Sequence, residues 1–280
     1  MNFNRYLCQE FIEAEVGCTD PSQLHLFKEK ICNYRLMQGK ISFLNDAVIG
    51  DACDVFYKSS LSFLEALFSL KRGHSSWAII KLYYSIFYAL RTHLLLGGYA
   101  PIKNGKGEFY IIKCEVNSSP LRISTKTVKG DHKTTIKAFI EFYPNHKLNT
   151  NLIDSMNIFE WAMQCRELVN YRSSSFIEPD FGYNAIPSTL NDITHFDHLL
   201  TQYINDEFYT YCFDREHSLL STVSVLIFEA ITLFREREQP FLTFERQSVL
   251  KQLIKKSGLS NIVTLINLFN NENDVVLSDV

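Results

Sequence analysis

The residues best suited to chemistry lie in one short run, Arg166-Glu167-Leu168-Val169-Asn170-Tyr171. Between Asn151 and Asn170, the residues Ile153, Met156, Phe159, Ala162, Met163 and Val169 recur at helical spacing, which places Arg166 on the apolar face of a predicted helix. A guanidinium directed inward has two outcomes. It pairs with a buried carboxylate and stitches the core, or it holds an anion such as a phosphate, because an unpaired charge taken out of water is expensive. On an ideal helix Asn170, four residues on, shares the face of Arg166, whereas Tyr171 is rotated well away unless the helix has already ended. A phenol titrates near pH 10 and is a poor general base at neutral pH. The run is better equipped to grip an anion than to move a proton.

A second concentration of chemistry is electrostatic. Between Pro101 and Lys137 stand Lys103, Lys106, Lys113, Arg122, Lys126, Lys129, Lys133 and Lys137 against Glu108, Glu115 and Asp131, in a chain whose net charge is −3. A basic hairpin on an acidic body is the footprint expected for a nucleic-acid backbone, with Phe109 and Tyr110 available for stacking. The same lysines would also keep an edge hairpin from aggregating. His132 and His74, beside basic residues in turns, are further candidates for phosphate contact. His195 and His198, near Asp192 and Asp197, offer two metal ligands without a third, so no metal is expected. No cofactor is expected either: Gly105-Lys106-Gly107 lacks the spacing and the following helix of a phosphate loop, and there is no Gly-x-Ser-x-Gly elbow. Ser173, Ser174 and Ser175 read as the exit from the helix before them.

Positioning these groups falls mainly to helices. The length of 280 residues and the 46% hydrophobic content suit two coupled units. Asp20-Pro21 starts a helix carrying Leu24, Phe27, Ile31 and Tyr34 and ending near Gly39. A long amphipathic helix runs from about Asp51 to Leu70, Gly73-His74 breaks it, and an apolar, aromatic helix follows over Ser75–Leu96, with Tyr83, Tyr84, Phe87 and Tyr88 at its centre. The short break implies an antiparallel pair, and the second helix, apolar almost all round, should be the most buried. Glu108–Val116 and Leu121–Val128 read as a β-hairpin around Asn117-Ser118-Ser119-Pro120. Helices resume at Lys133–Phe142 and Asn151–Asn170. Pro179–Pro187 reads as a loop and a boundary, and beyond it helices are expected around Ile193–Tyr203, Leu219–Phe234, Arg246–Ile254 and Asn261–Phe269. The expected division is an N-terminal helical segment over 1–50, a helical bundle over 51–178 with the hairpin inserted at about 105–130, and a C-terminal helical region over 188–280.

The net charge excludes a globally basic nucleic-acid binder while leaving local patches open. Seven cysteines without a CxxC pair suit reduced thiols. The N-terminus carries acidic residues in place of a signal-peptide core, and Lys81 and Arg91 interrupt the aromatic helix short of a bilayer span. A soluble cytoplasmic chain without a membrane partner is the expectation.

The helix ending Leu64-Glu65-Ala66-Leu67-Phe68-Ser69-Leu70 and the next, reading Ala78-Ile79-Ile80-Lys81-Leu82-Tyr83-Tyr84-Ser85-Ile86-Phe87-Tyr88-Ala89, together resemble the HEPN superfamily (higher eukaryotes and prokaryotes nucleotide-binding) over roughly Asp51 to Ser175. Lys129–Lys137 is also similar to the linker between the second and third bundle helices of some members. The resemblance implies an up-down bundle of four or five helices; joined to the hairpin and the C-terminal helices read from the residues, it makes the expected fold mainly α, a HEPN-like antiparallel helical bundle with an inserted β-hairpin and an all-α C-terminal extension. Members are often dimeric and occur in toxin–antitoxin, abortive-infection and other antiviral systems, so a homodimer, an RNA, and a larger effector or antitoxin are the implied partners. Active members are metal-independent ribonucleases with an arginine, four to six residues, then a histidine near the end of a late helix. Arg166 stands at the arginine position, but after four intervening residues comes Tyr171 and not histidine. Three functions stay open. One is an RNA-binding or degenerate ribonuclease-like component of a prokaryotic defence or toxin–antitoxin system, another a non-catalytic adaptor that dimerises through the aromatic helix and docks an effector. The third is an active endoribonuclease using Arg166 with Asn170 or Tyr171.

Overall fold

The computed structural model describes residues 5–178 and 180–270; residues 1–4, Pro179 at the start of the expected boundary loop, and 271–280 at the end of the expected C-terminal region lie outside them. The described chain is mainly α. In order come α1 (Leu7–Val16), α2 (Lys28–Cys32), α3 (Ile41–Lys71), α4 (Ser75–Leu96), β1 (Tyr99–Lys103), β2 (Phe109–Lys113), β3 (Leu121–Arg122), α5 (Asp131–Phe142), α6 (Ile158–Glu167), α7 (Phe196–Asn205), α8 (Ser218–Glu236), α9 (Phe244–Lys256) and α10 (Val263–Leu268). The chain divides into two units, each discontinuous in sequence: Met1–Val55 with Leu90–Pro144, and Phe56–Ala89 with Asn145–Val280. Helices α3 and α4 contribute residues to both.

In the first unit, α1 has no cap of its own, and the buried Asp51 carboxylate of α3 accepts hydrogen bonds from the backbone of Leu7 at 2.7 Å and Cys8 at 2.9 Å. An anion at a helix N-terminus satisfies free N–H groups and meets the positive end of the dipole. Helix α3 begins at Ile41, ten residues before the expected start at Asp51. The extension contains Gly50. Its role is close packing, because a Cβ there would meet Leu7 Cδ1 at 2.5 Å. The helix expected from Pro21 to near Gly39 instead stops at Cys32, after a 3-10 turn over Pro21–Phe27 capped by Asp20. Leu36 is drawn into extended backbone pairing with Asn117 and Ser118, both at 2.9 Å, so a tertiary contact overrides the helical spacing.

The expected hairpin is a three-stranded antiparallel sheet in the order β1-β2-β3. Strand β1, which is not among the expected elements, carries Pro101, which cannot donate to a ladder. It stands opposite Ile111 on an edge strand, where proline is tolerated. Strand β3 is two residues long because Thr125 turns back on Val128, with backbone and hydroxyl bonds of 2.9 and 3.0 Å. Leu94, Phe109, Ile111, Ile123 and Ala138 form the core between sheet, α4 and α5, flanked by Tyr99, Phe142 and Tyr143.

In the second unit, the remainder of α3 and the start of α4 form the expected antiparallel pair, turned at Gly73 in the left-handed region with φ +75°. Ser59 and Ser85 donate to each other's backbone carbonyls at 2.8 Å, a contact only small residues on close helices permit. Helix α8 supplies much of the core, with Phe234 joining Phe241 around Phe56 at ring distances of 5.6 and 5.7 Å. Among the described residues α8 is also the one helix long and apolar enough to cross a membrane, and 72% of that window is buried within the protein. Burial of this kind is what a core helix shows. All seven cysteines are free thiols.

Candidate functional site

Helix α6 was expected from Asn151. It starts at Ile158, where the Asn157 side chain accepts from the backbone of Phe159 at 3.0 Å. Before it, Asp154 and Ser155 take positive φ and Ile153 bridges Met156, so the apolar residues at 153 and 156 belong to a turn and not to the helix. At its other end α6 widens into a π-turn over Leu168–Arg172, closed by Ser173 N donating to Leu168 O at 2.9 Å. This turn corrects the expected facing of the motif. In a π-turn the residue five places on returns to the same side, so Tyr171, and not Asn170, lies over Arg166. Asn170 is exposed and makes no hydrogen bond with its side chain among the described residues.

The Arg166 guanidinium is sandwiched between two rings, with its Cζ 4.8 Å from the centroid of Tyr83 on α4 and 5.7 Å from that of Tyr171. Arg166 is 9% exposed, and Tyr83 is 1% exposed, whereas Tyr171 is 70% exposed, so one wall of the sandwich is core and the other is open to solvent. Burial pushes the Tyr83 phenol upward, and the charge of Arg166 opposes that shift without cancelling it. The buried-carboxylate partner that would have made Arg166 purely structural is absent among the described residues. Its nearest carboxylate oxygen is Glu167 Oε1 at 3.8 Å, and the other oxygen of Glu167 is taken by Arg172 at 3.0 Å. Arg166 Nε is buried and has no hydrogen-bond partner among the described residues.

Magnitudes decide what this arrangement can do. A cation over an aromatic face is worth about 0.5–2 kcal/mol, while removing an ion from water costs several kcal/mol before a counter-charge repays it. Two rings and a distant carboxylate leave the balance open, and an oxyanion bonded to the guanidinium would close it. Sequence periodicity placed Arg166 inward. It could not identify Tyr83 as a ring beneath it, because that contact joins helices about eighty residues apart.

The basic segment is less positive in space than in sequence. Lys103 pairs with Asp131 at 2.8 Å, Arg122 with Glu108 at 2.6 Å, Lys137 with Glu141 at 3.3 Å, and Lys113 with Glu115. Lys106 in the β1–β2 loop, Lys126 and Lys129 between β3 and α5, and Lys133 in the first turn of α5 are exposed and have no ion pair among the described residues. His132 is half-buried beside them. Phe109 and Tyr110 are buried at 3% and 5% exposure, so neither is a stacking platform, which corrects their expected role. Among the described residues no third ligand joins His195 and His198. Asp192 caps Thr194 and Asp197 accepts from Thr264 at 2.9 Å, which commits both nearby carboxylates to backbone.

Glu108 organises this loop. The Lys28 ammonium at 3.0 Å, with hydrogen bonds from Asn104 and Tyr110 and the Arg122 guanidinium, holds its carboxyl down from 4.5 to about 2 against the opposing effect of burial. A depressed folded-state pKa contributes stability that is present above the ordinary value and lost as pH falls through the depressed one. Thermal melts of the wild type between pH 5 and pH 2 should therefore show an acid-side loss that Glu108→Gln reduces, the variant already melting lower at neutral pH. Parallel profiles would contradict this assignment.

Comparison of the chain with protein-family models, curated proteins and solved structures finds no match in any of the three.

Proposed function

We propose that this chain is an RNA-binding protein of HEPN-like type, a component of a prokaryotic antiviral-defence or toxin–antitoxin system in which Arg166 grips a backbone phosphate. The observation that carries the reading is the buried Arg166 guanidinium, held between Tyr83 and Tyr171, with Nε unpartnered among the described residues and the nearest carboxylate oxygen, that of Glu167, at 3.8 Å. The α3–α4 pair with its aromatic second helix, and an arginine at the end of a later helix, support the HEPN-like architecture. The same features favour binding over cleavage. Where the family carries a histidine this chain carries Tyr171, and the π-turn uses that ring as a wall for the guanidinium, a positioning task. The free lysines at 106, 126, 129 and 133 provide a second set of phosphate contacts, independent of sequence.

Fluorescence anisotropy of the full chain with a labelled single-stranded RNA tests the reading. Binding is expected at low salt and should weaken as salt rises, with a logarithmic slope of about −0.7 per phosphate contacted. Absence of binding at low salt would overturn it.

A further inference from the structure

A cleft of about 510 Å³ opens at the turn between α3 and α4, a size within the range of roughly 300–1,000 Å³ usual for small-molecule sites. Its walls are two helical faces, and its chemistry changes along its length. At the turn end stand Arg72 and His74. The Arg72 guanidinium lies over the Phe68 ring at 5.1 Å and has no ion pair among the described residues. In the middle, Phe68 and Trp77 present aromatic surface, and Trp77 is 48% exposed. Its ring is fixed edge-on against Phe176 at 5.5 Å. Phe176 is itself held by the segment that follows it, in which Glu178 accepts from Ser76 N at 2.8 Å and Ser76 Oγ at 2.6 Å. At the other end Lys81 Nζ bonds one Glu65 side-chain oxygen at 3.0 Å, Ser69 Oγ at 3.1 Å and the Glu65 carbonyl at 3.4 Å, and Ser69 Oγ donates to that carbonyl at 2.8 Å, so the acceptor left for a ligand is the second Glu65 side-chain oxygen.

We propose that this cleft binds a nucleoside monophosphate unit, free or within a strand, with its phosphate at Arg72 and His74, its base against Trp77, and the base edge donating to the open oxygen of Glu65, which Lys81 holds in place. The order of the groups is the argument. Glu65 lies on α3 and Arg72 just past its end, seven residues on and about 10 Å at helical rise, so cation, aromatic wall and polar edge succeed one another over the length of a nucleotide. A half-exposed indole in a concave site offers stacking to any base, and a planar guanidinium free of a carboxylate suits a phosphate. The phosphate cannot use the α4 N-terminus, which Glu178 already occupies. This site does not depend on the reading of Arg166.

Tryptophan fluorescence tests it directly, because the chain has only Trp77 and Trp161 and the latter is buried at 5% exposure. Titration of the full chain with AMP should give saturable quenching that Trp77→Phe removes, and adenosine and Arg72→Ala should each raise the apparent Kd at least tenfold. A five-residue oligoadenylate separates the sources: quenching by AMP assigns a free nucleotide, and quenching by the oligomer alone assigns a strand. Arg166→Met should leave the AMP response unchanged, so failure here and failure of RNA binding at Arg166 are separate results. No saturable quenching by either probe, or quenching indifferent to Arg72→Ala, would overturn the proposal.

Discussion

Arg166→Met is expected to abolish most RNA binding while leaving the protein as stable as before or more so. Methionine fills much of the space of the arginine between Tyr83 and Tyr171 and removes a charge whose desolvation the two rings and Glu167, at 3.8 Å, offset only in part. Losing one partner of a buried charge-assisted contact costs about 2–5 kcal/mol of binding, a weakening of roughly 30- to 5,000-fold. The opposite signs separate a binding role from a structural one. An arginine that stitched the core would lower the thermal midpoint when replaced and leave RNA affinity alone. Anisotropy and thermal unfolding on the same preparation read both quantities.

The largest effect on stability should come from Phe56→Ala. Phe56 is fully buried, edge-on to Phe234 and Phe241, and truncation of such a ring typically costs about 3–5 kcal/mol in lost transfer energy and cavity formation. Set against a usual folding free energy of about 5–15 kcal/mol, that is a substantial share. Urea denaturation should show a lower midpoint with an unchanged slope. A shift below about 1 kcal/mol would mean that the rings around position 56 collapse into the space, and that α8 is less tightly fixed than its burial implies.

How much of this was legible in the sequence follows the range of each signal. Ser75–Leu96 is found at the predicted boundaries, because Gly73 stops the preceding helix and an apolar run of that length has little alternative. Helices α7 to α10 also lie where their apolar spacing placed them, give or take a few residues. Errors arose where a residue has a local meaning and a tertiary one. Glycine locally favours a break, yet Gly50 packs against Leu7 within α3; proline locally disfavours a strand, yet Pro101 sits at a sheet edge. At the site, inward placement of Arg166 was legible and the sandwich was not. The π-turn that brings Tyr171 back over the guanidinium has no sequence signature, and Tyr83 reads simply as core. The cleft at the α3–α4 turn was hidden for a related reason. Glu65 and Ser69 lie on α3 with Arg72 just past its end, and only the facing Trp77 and Lys81 make a wall of them.

The central claim is that RNA meets this protein at Arg166, and ultraviolet crosslinking of the full chain to a single-stranded RNA, followed by mass spectrometry of the peptides, tests it most directly. The account predicts a nucleotide adduct on the peptide containing Arg166 and Tyr171, lost in Arg166→Met. Adducts confined to the lysine-bearing segment between Lys103 and Lys133, with none between residues 158 and 172, would contradict it.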